Sequence, residues 1–224
     1  MKISISLIIW NFILVVFCDS RGKNVNTSTK TVVYVDMDHV LCDYAEGFER
    51  HKRLYPHLPY PQSQPGLYAG LKPLKDAVET YRWLNDHPKT DVYILTAPSI
   101  HNSHSYSEKR DWVEKHLGLS VVENLIITPH KNLNIGHYLI DDMASGKGQD
   151  SFEGTLIRFG SERFPDWRSV RDFFEEALKL SGSSAAGPWD AFFNSEPRVT
   201  GDFGLDQEDR DWLSMKPVGR EIPD

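Results

Sequence analysis

Between Thr31 and Leu180 short apolar runs alternate with amphipathic stretches. Val32-Val33-Tyr34-Val35 is β-branched and aromatic throughout, the pattern of a strand buried on both faces. Runs of the same kind recur at Asp91–Thr96, Glu123–Thr128, Tyr138–Asp142 and Thr155–Phe159. Helical spacing fills the gaps. Tyr44–Leu54 is compatible with a helix, and Leu74, Ala77, Val78, Tyr81 and Leu84 predict one over Leu74–His87 that Pro88 ends. Ser107 and Glu108 open another through Trp112, Val113 and Leu117 that stops at Gly118, and Trp167–Leu180 predicts a last one. Strands alternating with helices predict an α/β fold built on a parallel sheet with right-handed crossovers.

Other stretches break this rhythm. Tyr55–Gly70 interleaves Pro56, Pro59, Pro61, Pro65, Gly66 and Gly70 with Tyr55, Leu58, Tyr60, Leu67 and Tyr68, so no regular element fits it. Lying between the first strand and the next helix, it predicts a small cap over the ligand side, spanning about residues 44–71 with the helix before it. Ser145-Gly-Lys-Gly148 reads as a flexible connection. At the amino end, Lys2 is followed by an apolar run, Ile3–Cys18, so residues 1–20 read as a secretory signal or membrane anchor. That predicts a secreted, periplasmic or membrane-attached protein with membrane contact through residues 3–18. The alternative, a misassigned start or a buried helix, leaves it cytoplasmic. Residues 21–30 are a polar linker, residues 31–180 form the domain, and residues 181–224 read as a flexible tail. Its aromatic part within 188–210, including Pro188-Trp-Asp-Ala-Phe-Phe193 and Gly201-Asp-Phe-Gly204, would dock on the domain or on a protein partner.

Composition narrows the functional classes only slightly. At 224 residues the chain can build one sizeable domain with a buried core. A net charge of -7 with no cluster of Lys and Arg argues against binding a nucleic-acid polymer. An acidic protein can still bind an anionic small molecule where a metal ion and one or two lysines reverse the local field. Cys18 and Cys42 are the only cysteines and make no disulfide framework; Cys42 reads as a small packed residue rather than a nucleophile.

The candidate chemistry begins where the first apolar run stops. In open α/β sheets the ligand site lies beyond the carboxyl ends of the strands, and there stand Asp36 and Asp38, which leave an extended chain on the same side. Two carboxylates that close repel unless a proton or cation sits between them, and a hard ion such as Mg²⁺ suits them. Other runs end in polar groups too: the second in Thr96, the third with Lys131 just beyond, the fourth in Asp141 and Asp142. If the strands lie side by side these groups converge. Phosphoryl transfer through a carboxylate asks for such a set: a nucleophile, an acid and base, a hydroxyl and an ammonium for the phosphate oxygens, and acids for a metal.

Asp36-Met-Asp-His-Val40 resembles the first motif of the haloacid dehalogenase superfamily of phosphatases, with Thr96 in Ile-Leu-Thr-Ala-Pro98, Lys131, and Asp141-Asp142 matching the second, third and fourth. Within that superfamily the text is most similar to the pyrimidine 5′(3′)-deoxyribonucleotidase family. The matching stretches are Val-Asp-Met-Asp-x-Val-Leu, Pro65-Gly-Leu-Tyr, Leu71-Lys-Pro-Leu, Leu95-Thr-Ala-Pro-Ser, Glu108-Lys-Arg-Asp-Trp-Val-Glu-Lys-His-Leu-Gly118 and Leu139-Ile-Asp-Asp. The resemblance implies a Rossmann-like three-layer sandwich with a small cap. It also implies that Asp36 is the nucleophile and a Mg²⁺ ligand, and that Asp38 is the general acid and base and offers the metal its backbone carbonyl. Thr96 and Lys131 would bind phosphate, Asp141 would ligate Mg²⁺, and Asp142 would support it. Phe48, Leu67 and Tyr68 are candidates for stacking on a base.

The chain departs from the family in three places: His39 stands where glycine is usual, Ala97 where serine is common, and the cap is shorter. The expected activity is Mg²⁺-dependent hydrolysis of (deoxy)nucleoside monophosphates through an aspartyl-phosphate. The alternatives are a generic phosphatase for sugar phosphates or similar small esters, and a catalytically weak binding protein on the same fold.

Overall fold

The computed structural model describes residues 30–180. The expectations for the leader, most of the linker and the tail lie outside these residues. Among the described residues no helix is long and apolar enough to cross a membrane.

Five strands, β1 (Thr31–Val35), β2 (Thr90–Thr96), β3 (Leu125–Ile127), β4 (Tyr138–Asp141) and β5 (Thr155–Arg158), form one sheet in the order β3-β2-β1-β4-β5. Every neighbouring pair is parallel. The helices are α1 (Tyr44–Leu54), α2 (Ala77–Asn85), α3 (Ser105–Leu117), α4 (Leu119–Val122) and α5 (Trp167–Leu180). The strand order reverses between β1 and β4, which opens a crevice at their carboxyl ends. Asp36 and Asp141 stand on its two sides.

Alternation along the strands sorts their side chains onto two faces. Val33, Val35, Val92, Ile94, Ile140 and Ile157 share a core with Tyr81, Leu84, Trp112, Val113, Val170 and Phe174 of α2, α3 and α5. The other face carries Tyr34, Leu95 and Leu139, with Val32, Tyr93, Ile126 and Leu156 partly buried beside them. That face is covered by the β3–β4 and β4–β5 connections, whose helical pieces are the single 3₁₀ turns Lys131–Leu133 and Gln149–Ser151. Phe152 packs edge-on against Tyr34 with ring centroids 6.0 Å apart, and the Tyr34 hydroxyl donates to the Ile135 carbonyl at 2.9 Å. The third layer of the expected sandwich is therefore built from loops, since the two connections, residues 128–137 and 142–154, hold no helix longer than a single 3₁₀ turn.

Local details differ from the sequence reading for tertiary reasons. The second helix starts at Ala77 rather than Leu74, since Leu74 N–H donates to the Leu41 carbonyl at 2.9 Å and Pro73 bridges Cys42. The third starts at Ser105 rather than Ser107: Asn102 Oδ1 accepts from His104 N–H at 3.0 Å while its amide donates to the Gln62 carbonyl at 3.0 Å. The short α4 has no counterpart in the sequence reading, and β3 begins at Leu125 rather than Glu123. Two buried tryptophans pin the loops around the site to the body. Trp167 Nε1 donates to the Val40 carbonyl at 2.7 Å, and Trp112 Nε1 to the Leu71 carbonyl at 2.9 Å.

Gly154, at the entrance to β5, faces the backbone carbonyls of Gly136 and His137, against which a methyl group would collide. Backbone cannot step aside as a side-chain tip can. Gly154→Ala is expected to destabilise the fold by about 1–3 kcal/mol, read from urea denaturation midpoints.

Candidate active site

The segment leaving β1 turns tightly, and the turn is held by one carbonyl. Met37 C=O accepts from Leu41 N–H at 2.8 Å, from Cys42 N–H at 3.0 Å and from the Cys42 thiol at 3.2 Å. His39 lies at the exposed turn with φ of 59°, a conformation in which a non-glycine residue is strained. Burial pushes the Cys42 thiol well up, and the Asp38 carboxylate adds to that, so it stays neutral.

Two buried lysines organise the carboxylates. Lys131, 1% exposed, sits between β1 and β4 with Nζ 2.9 Å from Asp36 Oδ1 and 2.5 Å from Asp141 Oδ2. Burial opposes its charge, but Asp36 and Asp141 outweigh that and hold its pKa up to about 12. Asp141 is oriented by Met143 N–H, which donates to Oδ1 at 2.8 Å, and by the Gln149 amide at 3.3 Å. On the other side Lys109, with no exposed surface, donates to Asp38 Oδ2 at 2.6 Å and to Thr96 Oγ1 at 2.9 Å. The Tyr68 ring covers that ammonium, 4.8 Å from ring centroid to Nζ.

Asp36, Asp38, Thr96, Lys131 and Asp141 are thus gathered at the carboxyl edge of the sheet. Asp36, Asp141 and Asp142 offer carboxylate oxygens that all lie within 4.8 Å of one another. Burial, then the charges of Asp36 and Asp141, push the Asp142 carboxyl up to about 8. The same two influences, burial and Asp36, push Asp141 up against the pull of Lys131. Asp36 Oδ1, although beside Lys131, accepts no hydrogen bond. Three acids with one ammonium among them leave a charge deficit that a hard divalent cation would fill, so the donor set fits one. The Asp38 carboxylate is not among these oxygens; it is taken by Lys109.

The expected base-stacking residues are placed differently from one another. Leu67 has no exposed surface and packs beside Gly47 of α1, so it is a core residue of the cap rather than a surface for a ring. Tyr68 is 2% exposed and occupied with Lys109. Phe48 keeps partial exposure and stacks on Tyr44 with centroids 6.5 Å apart. Ala97 is half-buried.

Lys109 and Gln149 were given no role from sequence, and Glu108 only that of opening a helix. Lys109 carried a signal all the same. It stands three residues before Trp112 and four before Val113, on the helix face those two bury, where an unpaired lysine is not tolerated.

Residues 46–173 match the family model described as 5′ nucleotidase, deoxy (pyrimidine), cytosolic type C, a segment that begins after Asp36 and Asp38. A protein of Vibrio phage KVP40, named provisionally as a 5′(3′)-deoxyribonucleotidase, is 42% identical over 145 residues, which are 63% of this chain and 82% of the relative. The human cytosolic-type 5′(3′)-deoxyribonucleotidase is 34% identical over 147 residues, 53% of this chain and 73% of the relative. The mouse mitochondrial 5′(3′)-deoxyribonucleotidase is 34% identical over 152 residues, 54% and 69%.

The acid cluster has a measurable consequence. Folded Asp142 keeps its proton to about pH 8, whereas the unfolded chain releases it near 3.8. The folded state binds the extra proton between those values, so stability falls as pH rises through that window. In chelator, the melting temperature is expected to drop from pH 5 to pH 8. Asp142→Asn should flatten the slope, and Mg²⁺ should raise the melting temperature more at pH 8 than at pH 5.

Proposed function

The chain belongs to the 5′ nucleotidase, deoxy (pyrimidine), cytosolic type C family, and on that membership we propose that it hydrolyses deoxyribonucleoside monophosphates to nucleoside and phosphate, with Mg²⁺ bound and through an aspartyl-phosphate. One observation carries this reading: Asp36 and Asp38, one residue apart, are claimed by different buried lysines. Two adjacent carboxylates in unlike surroundings can take unlike roles.

Asp36 attacks phosphorus from the edge of β1, and the ester bond breaks as Asp38 gives its proton to the leaving sugar oxygen. Asp38 then takes a proton from water, which attacks the Asp36 phosphoryl group; phosphate departs and the Asp36 carboxylate is restored. Thr96, Lys109 and Lys131 hold the phosphoryl oxygens. An incoming phosphate draws the Lys109 ammonium, which in its absence is shared between Asp38 and Thr96, and so leaves Asp38 free to carry a proton. Asp36, Asp141, Asp142 and the Asp38 carbonyl would hold Mg²⁺, which would supply positive charge against the phosphate's own. Asp141 and Gln149 fix the Lys131 side of the pocket, and Phe48 on the cap is the aromatic surface left for a base.

With Mg²⁺ supplied, the chain is expected to turn over p-nitrophenyl phosphate and, more efficiently, deoxypyrimidine 5′- or 3′-monophosphates in a phosphate-release assay. Asp36→Asn should lose at least about a thousandfold in kcat. Turnover of p-nitrophenyl phosphate with no nucleotide hydrolysed would replace the substrate. No turnover of any ester would overturn the reading.

A further inference from the structure

We propose that Glu108, a residue outside the reacting set, is a positioning residue that fastens the cap loop to α3 and thereby fixes Lys109 in the site; the proposal rests on the phosphatase reading above. Glu108 is 8% exposed, and its carboxylate is spent on the backbone of the cap. Oε1 accepts from Gly66 N–H at 2.6 Å, and Oε2 from Tyr68 N–H at 2.9 Å and Ala69 N–H at 3.4 Å. An anion withdrawn from water needs such donors, and the three amides, inside a loop with no ladder of its own, need an acceptor. Gly66, at φ of 91°, gives the turn that lets the amides converge.

The loop thus held brings Tyr68, and its ring lies over the ammonium of the very next helix residue, Lys109. Glu108 and Lys109 therefore pull on the two ends of one short circuit: carboxylate to loop, loop to ring, ring to ammonium, ammonium to Asp38 and Thr96. Lifting the loop breaks the Glu108 contacts and uncovers Lys109 together. Trp112 Nε1 on the Leu71 carbonyl and the Asn102 amide on the Gln62 carbonyl hold the flanks of the same loop, so Glu108 governs its middle without being its sole anchor. The fold should survive its loss.

The test compares Glu108→Gln, which keeps one acceptor oxygen and loses the other with the charge, against Tyr68→Leu, which removes the ring alone. In Glu108→Gln the amides of Gly66, Tyr68 and Ala69 should exchange with deuterium at least about tenfold faster. The inhibition constant of inorganic phosphate, measured with p-nitrophenyl phosphate as substrate, should rise about tenfold in both variants. That constant does not depend on how much of the protein is active. Acting through one circuit, the double variant should lose no more than the worse single one. A lowered melting temperature with phosphate inhibition unchanged would make Glu108 merely structural and overturn the proposal. So would losses that multiply in the double variant. If Glu108→Gln does not fold, an unchanged phosphate constant in Tyr68→Leu overturns it alone. A wild-type chain that turns over no ester defeats the functional reading, while amide exchange at residues 66–69 still decides the clamp.

Discussion

The structure depends on a charge constraint at one edge of the sheet. Two lysines and four aspartates are drawn together where β1, β2 and β4 end, and most of them have left water. A buried ammonium is tolerated only with opposite charge and good hydrogen bonds around it. Lys131 is paired with Asp36 and Asp141 and donates to Asp141, and Lys109 donates to Asp38 and Thr96. Each lysine bridges elements far apart in sequence, so removing either strands a carboxylate on the turn after β1. The third acid of the cluster, Asp142, remains uncompensated and holds its proton. Among the described residues the acids of this cluster outnumber the cations paired with them.

Position follows from topology. With β1 at the centre and the order reversing beside it, Asp36 emerges in the middle of the edge, flanked by the ends of β2 and β4. A parallel sheet is needed for this, since only parallel strands bring all their carboxyl ends to one side. The helices back one face, leaving short connections to wrap the other, and it is the β3–β4 connection that carries Lys131 into the site. The cap is fastened from the same body: α3 supplies Glu108 to the cap backbone and Lys109 to Asp38 and Thr96.

Much of this was legible in the chain. The apolar runs marked all five strands, and polar residues at their ends marked Asp36, Asp38, Thr96 and Asp141, because strand burial and the position of a strand's last residue are properties of short windows. Gly118 as a helix stop was legible for the same reason. Element starts were less so. Leu74 obeys helical spacing but is taken by the Leu41 carbonyl, and Ser107 looks like a cap but is overtaken by Asn102. In both cases a partner distant in sequence won over local preference.

What the sequence determined by itself is the α/β alternation and the kinds of groups at the strand ends, since both are written in contiguous residues. Tertiary structure alone decided which lysine meets which carboxylate, that Leu67 and Tyr68 turn inward, and that Lys109 on a charged-looking helix points to the site. Those outcomes depend on strand order and on how the cap folds back over α3. They are contacts between segments tens of residues apart, and no short window of the chain contains both partners.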